Sequence, residues 1–199
     1  ELVGVDPDTT SIDAMAAEPG GLSFAVADGR AAYLPVAHTY PGAPQQLSRD
    51  AVLAKLRPWL ENPERAKVGH HLKYDAHVLG NYGIRLAGMR YDSMLESYVL
   101  NSTATRHDLD SVAREYLGLQ TIQYHDVAGK GAKQLSFDEV PIETAAPYAA
   151  EDADITLRLH NALWPQIEST GALATVYNDI EQPLVEVLLH TEDNGVLVD

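Results

Sequence analysis

Four acidic residues and a tyrosine fall where their spacing lets them act together. Asp6 and Asp8 sit two apart in Leu2-Val3-Gly4-Val5-Asp6-Pro7-Asp8-Thr9, at the end of an apolar run. Residues two apart on a strand share a face, so both carboxylates point the same way. Tyr148 and Asp152 lie four apart in Tyr148-Ala149-Ala150-Glu151-Asp152-Ala153-Asp154, and on a helix that spacing is again one face. The alanines between them leave room for a close approach. A tyrosine hydroxyl one turn from a carboxylate can orient a water held there by a metal. Asp75 follows His70-His71-Leu72-Lys73-Tyr74, where it could face Asp6 from the start of an adjacent helix.

Each signal has a plainer reading, and taken singly the plainer one prevails. Asp-Pro-Asp-Thr is the wording of a turn with an Asx cap. Asp75, near Lys73 and His71, reads as a carboxylate on a solvated helix face. An alanine-rich helix commonly carries a solvated acidic stripe, and Glu151 and Asp154 are placed on that surface. His71, Asp75 and His77 invite a zinc reading, but the chain lacks a clear tetrahedral set. Lys130 and Lys133 make a basic loop without the residues of a phosphate-cradling P-loop. Arg106 is as readily an ordinary surface arginine as a phosphate contact.

The elements that must position these residues are legible in outline. Leu2 to Val5, Gly20 to Ala27, Ala31 to Val36 and Ala66 to Gly69 read as strands, and Asp28-Gly29 between the second and third is a hairpin signal. Pro7 predicts that the first ladder ends or bulges there. Helices are expected after Ser48, from His71 to Tyr82 with Gly83 as terminator, and from the caps Asp92 and Asp108. Thr121 to Asp138 reads as a loop excursion. Pro147 is expected to open a long helix through about Trp164, and Pro183 to kink a last helix from about Ala174. Strands first and helices later suggest an α/β layer fold with an antiparallel first hairpin.

The bulk numbers bound the choices. The chain has 199 residues, 45% of them hydrophobic, enough for one sizeable core. It begins at Glu1 and runs straight into a strand, which reads as a fragment. It has no cysteine, so thiolate metal sites and disulfides are excluded, as suits a cytoplasmic protein. No segment reads as a signal peptide or membrane span, and a monomer is the default. Fourteen Lys and Arg against 29 Asp and Glu give −15, where a duplex binder would show a basic face. Carboxylates that hold cations answer part of that difficulty, because the cations then attract phosphate. A partner domain could supply basic surface.

The order and wording of the motifs together resemble the 3′→5′ proofreading exonuclease domain of bacterial family A DNA polymerases, the DNA polymerase I type. The resemblance rests on Asp6-x-Asp8, Leu72-Lys73-Tyr74-Asp75 and Tyr148-Ala149-Ala150-Glu151-Asp152-Ala153-Asp154. Tyr91-Asp92-Ser93-Met94-Leu95-Glu96-Ser97-Tyr98, Arg106-His107-Asp108-Leu109-Asp110-Ser111 and Ala128-Gly129-Lys130-Gly131 are similar too, as is Ala32-Tyr33-Leu34-Pro35-Val36-Ala37-His38. The tail from Glu181-Gln182-Pro183-Leu184-Val185 to Asn194-Gly195-Val196 resembles the opening of a polymerase domain. The resemblance thus implies residues 1–172 as the exonuclease domain and 173–199 as a helix and the start of the polymerase domain. It implies a ribonuclease-H-like fold, a mixed central sheet flanked by helices. It implies removal of nucleotides from a single-stranded DNA 3′ end with two divalent ions, Mg2+ or Mn2+. Asp6, Asp8 and Asp152 would hold one, and Asp6 with Asp75 through water the other, while Tyr148 orients the attacking water. Ile12, His70, His71, Tyr74, Arg106 and Tyr124 would contact the DNA.

The chain departs from the family at one ligand. The family's first motif is Asp-x-Glu, and here it is Asp-Pro-Asp. Aspartate keeps the charge but shortens the reach by one methylene, on the order of 1.5 Å. A second reading follows, a domain that keeps the fold, binds metal poorly and serves as a platform for the polymerase. A third is a related RNA-trimming exonuclease, against which the polymerase-like tail argues.

Overall fold

The computed structural model describes residues 1–195; Val196 of the polymerase-like tail, and 197–199 with it, lie outside the described residues. Three strands open the chain, β1 (Val3–Thr9), β2 (Pro19–Ala27) and β3 (Arg30–Pro35). They pair antiparallel in sequence order. Gly29 takes a φ of 70° in the β2–β3 turn, as the Asp-Gly pair requires. β4 (Lys67–Gly69) and β5 (Met89–Asp92) extend the sheet in parallel from the other edge of β1. The order is β3-β2-β1-β4-β5, so the sheet is mixed and β1 is its centre. β5 is absent from the sequence reading, because four residues with Arg90 among them show too little alternation.

Helices cover both faces. On one, α1 (Arg49–Leu60) and α2 (Leu72–Gly80) bury Leu53, Leu60, Leu72 and Leu79 against Leu22. On the other, the long α6 (Ile142–Ser169) lays Ala153 and Leu157 on Ala25 and Val68. α3 (Ser93–Leu100) follows β5 directly, and α4 (Leu109–Val112) runs on into a π turn, Ala113–Leu117. Val112 and Ala113 pack on Ile155, Leu159 and Leu163 of α6.

Several expectations need correction. The ladder does not break at Pro7: register runs through Pro7–Leu22 to Asp8–Gly21, and the bulge comes between Asp8 and Thr9. β4 pairs with β1 only at Val3 and Gly4, so Pro7 stands where the strand has one open side and a missing N–H is tolerated. The long helix starts at Ile142, with Pro141 before it, and ends at Ser169 rather than Trp164. Pro147 lies in its second turn, where it removes only one early backbone bond. The stretch 121–138 is not all loop, since α5 (Tyr124–Ala128) and two 3-10 turns, Gly131–Lys133 and Phe137–Glu139, fold within it. Two capping boxes, Gln123 with Asp126 and Ser136 with Glu139, hold those turns. The second helix stops at Gly80, three residues before Gly83. The last helical stretch is α7 (Ala172–Val176), a π turn (Tyr177–Glu181) and α8 (Gln182–Asn194). The irregularity precedes Pro183, which sits in the first turn of α8, where its missing N–H costs little.

Gly4 decides how close α6 can come to β1. A Cβ there would lie 2.9 Å from the Ala153 carbonyl oxygen and 3.4 Å from Cβ of Leu157. Ala153 adjoins Asp152, and Gly4 shares a strand face with Asp6. The contact therefore sets the separation of the two carboxylates. Gly4→Val is expected to destabilise the protein by about 1–3 kcal/mol through overpacking. Denaturant unfolding measures it.

Candidate active site

Asp6 and Asp8 leave β1 on its α6 face, into a cleft of about 730 Å3. Asp152 and Tyr148 reach the cleft from α6, and Tyr74 and His71 from the start of α2. Ile12, on the loop after β1, and Tyr124 of α5 complete the rim, together with Phe137 and Leu135. The three motifs are thus brought to one place. Asp75 lies just behind them, 3% exposed.

Burial and mutual repulsion govern the charges. Burial pushes the Asp6 carboxyl up to about 6. Asp8 rises well above the usual carboxylate range, through burial and then the Asp6 charge, and a bond from Ser23 opposes the rise. Asp152 rises likewise through burial, Asp6 and Asp8. Asp75 rises through burial and then Asp6, Asp92 and Asp8. Burial, followed by Asp152, Asp6 and Asp8, also raises the Tyr148 hydroxyl, so it stays a neutral phenol. Four carboxylates supply only oxygen, the donor that Mg2+ and Mn2+ prefer. Oδ2 of Asp75 is buried with no hydrogen-bond partner, which is costly for a carboxylate unless a cation or its water meets it. The donor set fits hard divalent ions on those grounds. It is an open set: among the described residues no three His, Asp or Glu side chains close on a single point.

Local structure explains the placement. Asp92 caps α3 by accepting from Met94 N at 3.0 Å, and it also accepts from His71 N at 3.1 Å and Leu72 N at 2.8 Å. One carboxylate thus pins the N-termini of α2 and α3, and Asp75 sits in the first turn of α2. His71 enters that helix at a φ of 74°, and its ring stacks on Tyr74 at 6.1 Å. The Tyr74 hydroxyl meets Thr9 Oγ1 at 2.5 Å and donates to the Ser11 carbonyl, tying the loop that carries Ile12. Ile12 itself is 99% exposed. Tyr124 donates to the Leu135 carbonyl at 3.0 Å and packs edge-on to Tyr148.

Two residues expected at the DNA do not line the cleft. His70 does not line the cleft; its ring nitrogens bond Ser93 Oγ at 2.8 Å and the His107 carbonyl at 2.9 Å. It joins the end of β4 to the start of α3. Arg106 is 85% exposed and pairs with Asp108 at 3.0 Å, outside the cleft. Glu151 and Asp154 are not free surface either. Glu151 accepts from Ile122 N and Asp154 from Gly29 N, each at 2.6 Å, anchoring a loop and the hairpin turn to α6. The sequence alone assigns no site role to Ser23, Tyr33 or Phe137. Ser23 stands opposite Asp6 in the β1–β2 register, and the only signal for it is the hairpin that fixes β2.

A mixed sheet with helices on both faces, and a carboxylate cleft at the end of its central strand, defines a ribonuclease-H-like nuclease fold. Two solved structures share it. The POL domain of Pol1 from M. smegmatis, in complex with DNA primer-template and dNTP, superposes with a TM-score of 0.75 at 23% identity, over all of this chain and 30% of that one. Brucella melitensis NrnC bound to pGG gives a TM-score of 0.67 at 16% identity, over all of this chain and 89% of that one. The chain belongs to the 3′-5′ exonuclease family of family A DNA polymerases, whose family model matches residues 1–168. It is 61% identical to DNA polymerase I of Pseudomonas aeruginosa over its whole length, 22% of that protein. It is 40% identical to DNA polymerase I of Rhizobium leguminosarum, again over its whole length and 21% of that protein. The chain therefore spans about a fifth of the relatives it matches.

Proposed function

We propose that this chain is a proofreading exonuclease that hydrolyses the last phosphodiester of a single-stranded or frayed DNA 3′ end and releases a deoxynucleoside 5′-monophosphate. The observation that carries the reading is the convergence of Asp6, Asp8, Asp152 and Tyr148 on one cleft with Asp75 buried behind them. Asp6, Asp8 and Asp152 would hold one divalent ion once their side chains draw together on it, and Asp6 with Asp75, through water, would hold a second. Such a pair, Mg2+ or Mn2+, supplies charge that activates water and stabilises the leaving oxygen.

The chain's own groups do the rest. Tyr148 stays a phenol, so it orients the attacking water through its hydroxyl rather than taking a proton as phenolate. Ile12 and Tyr124 offer apolar and aromatic faces for bases without choosing among them, and His71 and Tyr74 flank the strand end. A mispaired end frays more readily, so selection for errors follows from the cost of melting. Tyr148→Phe is expected to lower kcat about 10- to 100-fold with KM little changed, measured by steady-state release of labelled nucleotide.

The parent chain's polymerase domain is the partner we assign, with residues 1–172 as the exonuclease domain and 173–199 leading into the polymerase. The family match ends at residue 168. Ile180, Leu184, Val187 and Leu188 lie exposed along one side of the last helical stretch, as a face that meets another domain would. Among the described residues no helix is long and apolar enough to cross a membrane. We place the monomeric chain in the cytoplasm, with the DNA it acts on. The test is a pair of 3′-labelled single strands of one sequence, DNA and RNA. Mononucleotide release faster from DNA supports the proposal, and release from RNA alone overturns it.

A further inference from the structure

Asp8 is shorter by one methylene than the glutamate of the Asp-x-Glu motif it resembles, and the hairpin beside it holds it in a way that a longer side chain would not need. Oδ2 of Asp8 accepts a hydrogen bond of 2.8 Å from Ser23 Oγ, and the pair is buried. Register puts Ser23 opposite Asp6 and Gly21 opposite Asp8, so Ser23 is the diagonal neighbour of Asp8 on the same sheet face. The place that a side chain at position 21 would fill is taken by the Tyr33 ring, 2.1 Å from where a Cβ would stand. The Tyr33 hydroxyl is turned to His38 Nε2 at 2.6 Å, which leaves Ser23 as the side-chain donor that Asp8 has. Ser23 is wholly buried and its hydroxyl has no other side-chain task among the bonds described. One carboxylate oxygen is thereby fixed to β2, and the rotation that carries the other is set.

We propose that Ser23 is a positioning residue for metal binding, which orients the short Asp8 carboxylate from the neighbouring strand. The inference rests on the metal-dependent reading of the site given above. Partners that orient a metal ligand typically change affinity about 10- to 100-fold when removed. Ser23→Ala should therefore weaken Mn2+ binding by about tenfold or more, over and above the drop in metal-free melting temperature that losing a buried hydrogen bond brings.

The experiment titrates Mn2+ into the metal-free protein by calorimetry and follows the melting temperature at each concentration, for the parent, Ser23→Ala, Asp8→Glu and the double variant. The expected result is a loss of affinity in Ser23→Ala that is absent when the same change is made in Asp8→Glu, whose longer side chain reaches without the hydroxyl. Ser23→Cys, matched in size with a weak donor, takes the place of Ser23→Ala if that variant does not fold. An affinity within twofold of the parent overturns the role of Ser23. So does an equal loss in the parent and Asp8→Glu backgrounds, which marks a purely structural residue. A parent protein that neither binds Mn2+ nor gains stability from it overturns the metal reading itself, and this inference with it.

Discussion

Asp152→Asn is expected to abolish nucleotide release and, at the same time, to stabilise the metal-free protein. Asp152 is 7% exposed, and its carboxyl is raised by burial and by Asp6 and Asp8. The folded protein thus carries this charge at a cost. Asparagine removes one of the like charges and keeps the size. It also removes a cation ligand beside Tyr148, and a loss of about 4 kcal/mol of transition-state stabilisation is roughly a thousandfold in rate. Rate and stability should move in opposite directions, as they do where a site is built against its own stability. A variant that loses activity by unfolding would lose both. Single-turnover release and the melting temperature in chelator, on the same preparation, separate the two cases.

The second large effect is a stability that falls as pH rises. Asp6 is raised from 3.8 to about 6, so between those values the folded state holds a proton that the unfolded chain has released. A raised carboxyl therefore stabilises the fold at low pH, and that stability is lost as pH climbs through the folded value. The part of that loss lying between pH 5 and the folded value is about 1.4 kcal/mol. Asp8, Asp75 and Asp152, raised further, extend the loss toward neutral pH. At about 2–4 °C per kcal/mol for a domain of this size, the metal-free protein should melt at least about 3 °C higher at pH 5 than at pH 7.5. The net charge of −15 adds a trend of the same sign. Asp75→Asn keeps most of that background, so the difference between the two pH profiles isolates the cluster. Parallel profiles would show that the carboxylates are not strained, and Mn2+ should flatten the parent's profile.

Much of the frame is legible because its signals are local. The Asp28-Gly29 turn needs no tertiary information, and neither do the caps at Asp92 and Asp108, whose side chains accept the bonds expected of them. The site is legible only as a set. Asp75 alone reads as solvated, and it is buried because Asp92 draws the start of α2 against β5, a strand too short to see. Pro147 misleads about the start of α6, since it stands in the second helical turn, where it costs one backbone bond that so long a helix can lose. His70 reads as a DNA contact from the motif around it, whereas its two ring nitrogens are spent on Ser93 and His107. Ser23 has no signal beyond the hairpin that fixes β2, because a serine in a strand acquires meaning only from the register that sets it beside Asp8.

The most direct test of the central claim is release of nucleotide from 3′-labelled single-stranded DNA by the metal-free protein after addition of Mg2+, of Mn2+ or of chelator, with Asp75→Ala in parallel. Metal-dependent release of mononucleotides that vanishes in the variant is the predicted result, and it would show that Asp8 serves where the family has glutamate. Release no greater than that of the variant with either metal would contradict the account and leave a domain with an exonuclease fold and no exonuclease activity.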